Sequence, residues 1–155
     1  MRIRLLAVAG RPPRWAQAAF DEYAKRLPTA LRFEAPLIAL AKGHGGDWRR
    51  AREEEGRRLL ARIGERDRVV ALDERGKSWS TADFADRLAG WQSAGDDVSL
   101  LVGGPDGLAP ACMRRANAGW SLSALTLPHA LVRVVVAEQL YRAWSILGNH
   151  PYHRA

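Results

Sequence analysis

Residues 97–107 read DVSLLVGGPDG, and this stretch decides the fold. Residues 97–102 form a short, almost wholly apolar run, as a strand buried on both faces requires. Three glycines in the next five residues give the backbone freedom to turn and to approach a ligand closely. A short helix is expected to begin near Pro110, where a missing N–H costs nothing. Upstream, Arg68–Leu72 (RVVAL) repeats the pattern of a buried strand, and Asp73–Trp79 reads as a turn-rich loop. Ser80 or Thr81 is placed to cap a helix running to about Gln92.

Further outward, residues 2–9 (RIRLLAVA) predict a first strand, ended by Gly10-Arg11-Pro12-Pro13. A helix is expected over 14–27, with Trp15, Ala18, Ala19, Tyr23 and Leu27 at helical spacing. Residues 32–40 (RFEAPLIAL) predict a second strand, which Pro36 restricts to an edge or a bulge. A glycine-rich basic loop follows at 42–46, and Asp47 caps a very charged helix to about Ile63. Trp120–Ser123 predicts a last short strand, and 128–147 the longest helix. Strands and helices that alternate at these spacings imply an α/β domain with a mostly parallel sheet. Ligands in such sheets sit beyond the carboxyl ends of the strands. That geometry nominates the loops after Leu72, Val102 and Ser123.

The 155 residues carry 47% apolar and 26% charged side chains, enough for one packed domain over 1–155. No apolar run approaches a membrane span, and the opening MRIRLLAVAGRPPRW is too short for a signal-peptide core. A cytoplasmic protein is expected. The one cysteine, Cys112, excludes an internal disulfide, and no His/Cys/Asp/Glu cluster has metal-ligand spacing. Lys and Arg total 24 against 17 Asp and Glu, a net +7 that points mildly to nucleic acid. The helix at 128–147 is apolar nearly all round, which asks for a second burying surface such as another subunit. The segment 121–128 (SLSALTLP) is apolar yet too short for a helix, so its backbone groups need partners, and a flat heterocycle such as adenine is one. The tail Asn149–Arg154 combines a titratable ring, a stacking ring and a permanent cation. His129 reads as structural and His44 as solvent-exposed.

Three segments go further: LLVGGPDGL (100–108), WSLSALTLPHALVRVVVAEQLYRAWSI (120–146) and NHPYHR (149–154). In these the chain closely resembles the bacterial ribosomal RNA large-subunit methyltransferase H family, part of the SPOUT or α/β-knot superfamily. The resemblance implies helices on both faces of the sheet, a C-terminal trefoil knot and a homodimer. It implies S-adenosylmethionine as methyl donor and N3 of a pseudouridine in 23S rRNA as acceptor, on the assembled ribosome, with no metal and no membrane. Carried over by motif, Leu72, Gly103, Gly104, Leu122, Ser123, Ala124, Leu125, Thr126 and Leu127 would hold the cofactor. Tyr152, His153 and Arg154 would face the target nucleotide. His153 would act as general base or orient the uracil edge, Tyr152 would stack or position it, and Arg154 would hold phosphate or steady the developing anion. Arg142 is a second candidate for stabilising negative charge. Asp106 departs from the family's more usual glutamate, and 42–50 is poorer in lysine than is usual. Competing readings are a SPOUT enzyme acting on tRNA, a non-catalytic ribosome factor on the same scaffold, and an unrelated nucleotide-binding enzyme.

Overall fold

A computed structural model describes residues 1–42 and 44–154. Gly43, within the basic loop, and Ala155 lie outside the described residues. The chain runs β1 (Ile3–Val8), α1 (Arg14–Ala24), a single 3-10 turn (Thr29–Leu31), β2 (Phe33–Glu34), β3 (Leu37–Ile38) and α2 (Trp48–Leu60). It continues through β4 (Arg68–Ser78), α3 (Thr81–Ala94), β5 (Val98–Val102), α4 (Pro110–Arg115), β6 (Ala118–Ser121) and α5 (His129–Leu147). The sheet order is β2-β1-β5-β4-β6, with β3 pairing β1 beyond β2, and every strand pair is parallel. The expected mostly parallel α/β sheet is therefore what forms.

Local chemistry accounts for the element ends. Asp47 accepts from the Arg49 and Arg50 N–H groups and caps α2. Ser80 and Asp83 form a reciprocal capping box at the start of α3. Pro36 has no N–H to give a ladder, so the expected strand over 32–40 breaks into β2 and β3 on either side of it.

One expectation fails. Residues 73–78, read as a loop, continue β4 as a strand. Leu72 and Lys77 both align with Trp120 of β6, so a bulge absorbs the residues between them. A Cβ on Gly76 would lie 2.6 Å from the Gly119 carbonyl carbon, so only glycine permits the approach of the two strands. Polar residues and a glycine read as a turn because pairing with a strand some 40 residues later left no local mark.

Helices cover both faces. On one, α1, α3 and α5 pack over Leu5, Val70, Leu100 and Trp120. On the other, α2 and α4 pack over Leu6, Val69, Ala71 and Leu101. Phe84, Leu88 and Leu140 are fully buried, each worth about 1.5–3 kcal/mol by leaving water. Gly56 lets the other pair of helices touch, since a Cβ there would meet the Ala109 Cβ at 2.6 Å. On α5, Val136, Ala137, Leu140 and Ala143 are buried, while Leu131, Val135 and Trp144 stay partly open. Among the described residues no helix is long and apolar enough to cross a membrane.

Candidate functional site

Ala7, Val102 and Leu72 align at the carboxyl edge of the three central strands. Just beyond them opens a cleft of about 750 Å³. Its walls come from Leu72–Arg75, from Val102–Leu108, from Trp120–Ser123 with Leu125–Leu127, and from His129 and Val132 at the start of α5. These are the loops that strand-end geometry nominates. Eight of the nine carried-over cofactor residues line the cleft; Ala124 is exposed and does not.

Two of these walls owe their shape to backbone geometry. Gly104 O accepts the Gly107 N–H at 3.0 Å, which folds the glycine loop into a tight turn. A Cβ on Gly103 would lie 2.4 Å from the Gly107 carbonyl carbon, so that turn closes only over glycine. Segment 122–127 contributes no backbone–backbone hydrogen bond among the described residues. The Leu125 N–H is served by Ser123 Oγ at 2.9 Å and the Ser123 C=O by the Ser121 hydroxyl at 3.1 Å, while no group of this segment has a backbone partner among the described residues. A ligand with donors and acceptors along a flat edge satisfies such a strip.

Beneath the glycine loop lies Glu55 of α2, only 4% exposed. Its Oε2 has no hydrogen-bond partner, and a Cβ on Gly104 would sit 2.6 Å from it. Burial pushes its carboxyl above the usual range, only partly offset by the Ala41 N–H. Burial likewise lowers His129, whose Nδ1 is unpartnered, although a contact with the Gly104 backbone acts the other way. Asp73 is held below the ordinary carboxylate range by its hydrogen bonds to Arg75.

The tail is elsewhere. It folds back on the second half of α5, where the Tyr152 hydroxyl donates to Glu138 at 2.9 Å. Arg142 Nε donates to the same carboxylate at 2.9 Å, and its guanidinium lies 4.8 Å from the Tyr152 ring centre. The Tyr152 ring also packs 4.6 Å from Tyr141. Burial first, then the Glu138 carboxylate, raise the Tyr152 phenol to about 12. Tyr152 is thus a hydrogen-bond donor at neutral pH and not a base. His153 Nδ1 stands 3.3 Å from Arg142 Nη1. A guanidinium only donates, so Nδ1 accepts and a neutral ring carries its proton on Nε2. Arg154 is exposed. Glu138 and Arg142 lie 6 and 10 residues beyond Val132, about 9 and 15 Å along the helix axis. None of the tail residues lines the cleft of its own chain.

Residues 1–153 match the family described as "Predicted SPOUT methyltransferase". The chain belongs to the SPOUT methyltransferase family. It is 57% identical to the ribosomal RNA large subunit methyltransferase H of Alkalilimnicola ehrlichii, over the whole of both chains. It is 52% identical to the protein of the same name from Nitrosococcus oceani, across 100% of this chain and 99% of that one. Among solved structures, a probable methylase family protein from Haemophilus influenzae matches 99% of this chain and 70% of its own, with a TM-score of 0.55 at 12% identity. A putative methylase family protein from Neisseria gonorrhoeae matches 91% and 81%, with a TM-score of 0.53 at 16% identity. These last two likenesses concern the fold alone.

In this SPOUT methyltransferase the structure separates the carried-over residues into two groups, cleft and tail, that the sequence could not place relative to each other. It adds residues that sequence reading passed over. His129 forms cleft wall, and α2 sends Trp48 and Arg52 to the rim. Asp47, the N-cap, was the available signal that the next residue begins a helix at the sheet's carboxyl end. His44, expected in solvent, is half-buried and bound to Glu54. Cys112 is fully buried with its thiol pushed up by desolvation, so it is no nucleophile. Among the described residues no cluster is arranged to hold a metal.

Proposed function

We propose that this SPOUT methyltransferase transfers a methyl group from S-adenosylmethionine to N3 of a pseudouridine in 23S rRNA. It acts on the assembled ribosome, as a cytoplasmic homodimer. The observation that carries the reading is the backbone-walled cleft at the carboxyl ends of β4, β5 and β6. Its volume and the 122–127 backbone, free of backbone partners among the described residues, suit an adenosine-bearing ligand. The full-length relatives named for large-subunit rRNA methylation support the acceptor.

S-adenosylmethionine supplies an electrophilic methyl on a sulfonium, which departs as the neutral thioether. The protein must align the acceptor in line with that methyl and favour a deprotonated N3, since neutral N3 is a poor nucleophile. The tail residues are suited to the second task. Arg142 fixes the His153 ring through Nδ1, leaving Nε2–H to donate to a uracil carbonyl as negative charge builds on the ring. In this arrangement His153 orients and stabilises the uracil edge, and the N3 proton passes to water. Glu138 holds both Arg142 and Tyr152 in place, and Tyr152 stacks beside the target. Arg154, unconstrained at the surface, is free to meet a phosphate.

The separation along α5 gives the dimer its purpose. A tail docked on the second half of α5, 6 to 10 residues beyond the cleft residue Val132, serves the cleft of a second subunit, and the open apolar part of α5 is where that subunit packs. The test is transfer of label from methyl-tritiated S-adenosylmethionine to ribosomes from cells lacking the enzyme. Label at a single large-subunit pseudouridine, absent when naked rRNA is offered, is the expected result. Absence of label with folded, dimeric protein would reject the reading.

A further inference from the structure

Trp48 is 44% exposed, at the first position of α2 and on the rim of the cleft. Four residues on, Arg52 lies on the same stripe of the helix and also lines the cleft. The Arg49 and Arg52 guanidinium carbons stand 4.6 and 5.0 Å from the Trp48 ring centre. Neither arginine pairs with a carboxylate among the described residues. Arg52 Nε is shielded from solvent and has no hydrogen-bond partner.

The arrangement is not core packing. Trp79 shows the contrast: it too has an arginine over its ring, Arg87 at 4.0 Å, but it stacks on Trp120 and joins the central aromatic cluster. Trp48 belongs to neither hydrophobic core. A second exposed indole, Trp15 at 58%, stands with exposed Arg11 and Arg14 just after β1. The ends of β1 and β3 are joined by the Ala9 N–H donating to Ile38 O at 3.1 Å. Both aromatic and basic groups therefore lie at the carboxyl end of the sheet, the end onto which the cleft opens.

An open indole with unpaired guanidiniums beside it matches the two halves of a nucleotide, a flat base and an anionic phosphate. A peptide partner would ask for apolar pockets beside the ring, and a membrane for a broader apolar surface than one indole. We infer that Trp48, Arg49 and Arg52 form a subsite for one unpaired RNA nucleotide next to the methylation target. The base stacks on Trp48, and Arg49 and Arg52 hold the phosphates that flank it. This subsite rests on the RNA-methylating reading and refines it, because it lies on the rim of the same cleft.

Two assays separate the subsite from the reading beneath it. The first measures steady-state methylation of ribosomes by wild type, Trp48→Ala, Trp48→Phe and the double variant Arg49→Ala/Arg52→Ala, with cofactor affinity by calorimetry. Trp48→Ala is expected to raise KM for ribosomes about five- to hundredfold, the span for losing one stacked base, with cofactor affinity unchanged. Trp48→Phe recovers most of the loss. The second measures binding of a single-stranded RNA octanucleotide against salt concentration. Loss of the two arginines is expected to flatten the log–log salt slope by about 1–1.4, two phosphate contacts on a single strand. If wild-type protein methylates no ribosome, the methylation reading fails while the octanucleotide assay still decides the subsite. Equal octanucleotide affinity for wild type and Trp48→Ala would overturn it. So would a loss in Trp48→Ala confined to cofactor affinity, which would assign the indole to the cofactor's own cleft.

Discussion

The cleft and the tail of this SPOUT methyltransferase are built from opposite materials. The cleft is backbone: glycines that close a turn, and a six-residue strip whose N–H and C=O groups lack backbone partners. The tail is side chain: a carboxylate, a guanidinium, a phenol and an imidazole joined in one network on α5. Backbone reads a ligand by shape, and any added atom destroys the fit. A side-chain network tunes charge, and its members can be replaced with graded losses. The two regions should therefore fail differently under mutation.

The largest effect belongs to the cleft. Gly103→Val puts side-chain atoms where even a Cβ would lie 2.4 Å from the Gly107 backbone. Calorimetry is expected to show S-adenosylmethionine affinity reduced by ~100-fold or more, a loss of overpacking size, while the tail keeps its contacts. Next comes the tail. His153→Ala should lower turnover by about 100-fold, the lower range for losing one hydrogen-bond donor to developing negative charge, with cofactor affinity intact. His153→Gln, whose amide N–H replaces the Nε2 donor, should recover part of that rate. Equal rates for the two variants would contradict the donor role.

A smaller effect separates the network's parts by pH. The Tyr152 phenol, raised to about 12 by burial and by Glu138, should ionise well after a free tyrosine does. Glu138→Gln removes the negative charge and should bring that ionisation down toward 10, seen as earlier phenolate absorbance that Tyr152→Phe abolishes. The smallest effect lies under the cleft. The folded-state value of Glu55 lies above its unfolded 4.5, so the unfolded chain releases this proton first as pH rises. The contribution of Glu55 to stability is therefore full below pH 4.5 and is lost as pH climbs through the raised value. Glu55→Gln, which cannot ionise, should show a flatter decline and a higher melting temperature than wild type at neutral pH.

The sheet was legible where physics is local. Val98–Val102 and Arg68–Leu72 carry buried-strand composition, and Ser80 and Asp47 announce their helices by capping. The second half of β4 was not legible, because its partner is β6 and the signal is a bulge over Gly76. The cleft loops followed from a general rule about strand ends. The tail residues were legible as chemistry but not as geometry, since only the fold shows them docked beside Glu138 and absent from the lining of their own cleft. Trp48 was missed because a tryptophan after a helix cap usually packs inward, and here it does not.

In the proposed dimer one working site takes its cleft from one subunit and its tail from the other. Mixed dimers test it directly. Gly103→Val and His153→Ala proteins, each dimeric, are mixed under conditions that exchange subunits, at a cofactor concentration where each alone is nearly inactive. Methyl transfer to ribosomes is then measured. In a mixed dimer the intact cleft of one chain meets the intact tail of the other, so activity should return to about a quarter of wild type, half the dimers being mixed with one good site of two. A mixture that exchanges subunits yet stays inactive would contradict the claim, because a site built within one chain is broken in both variants.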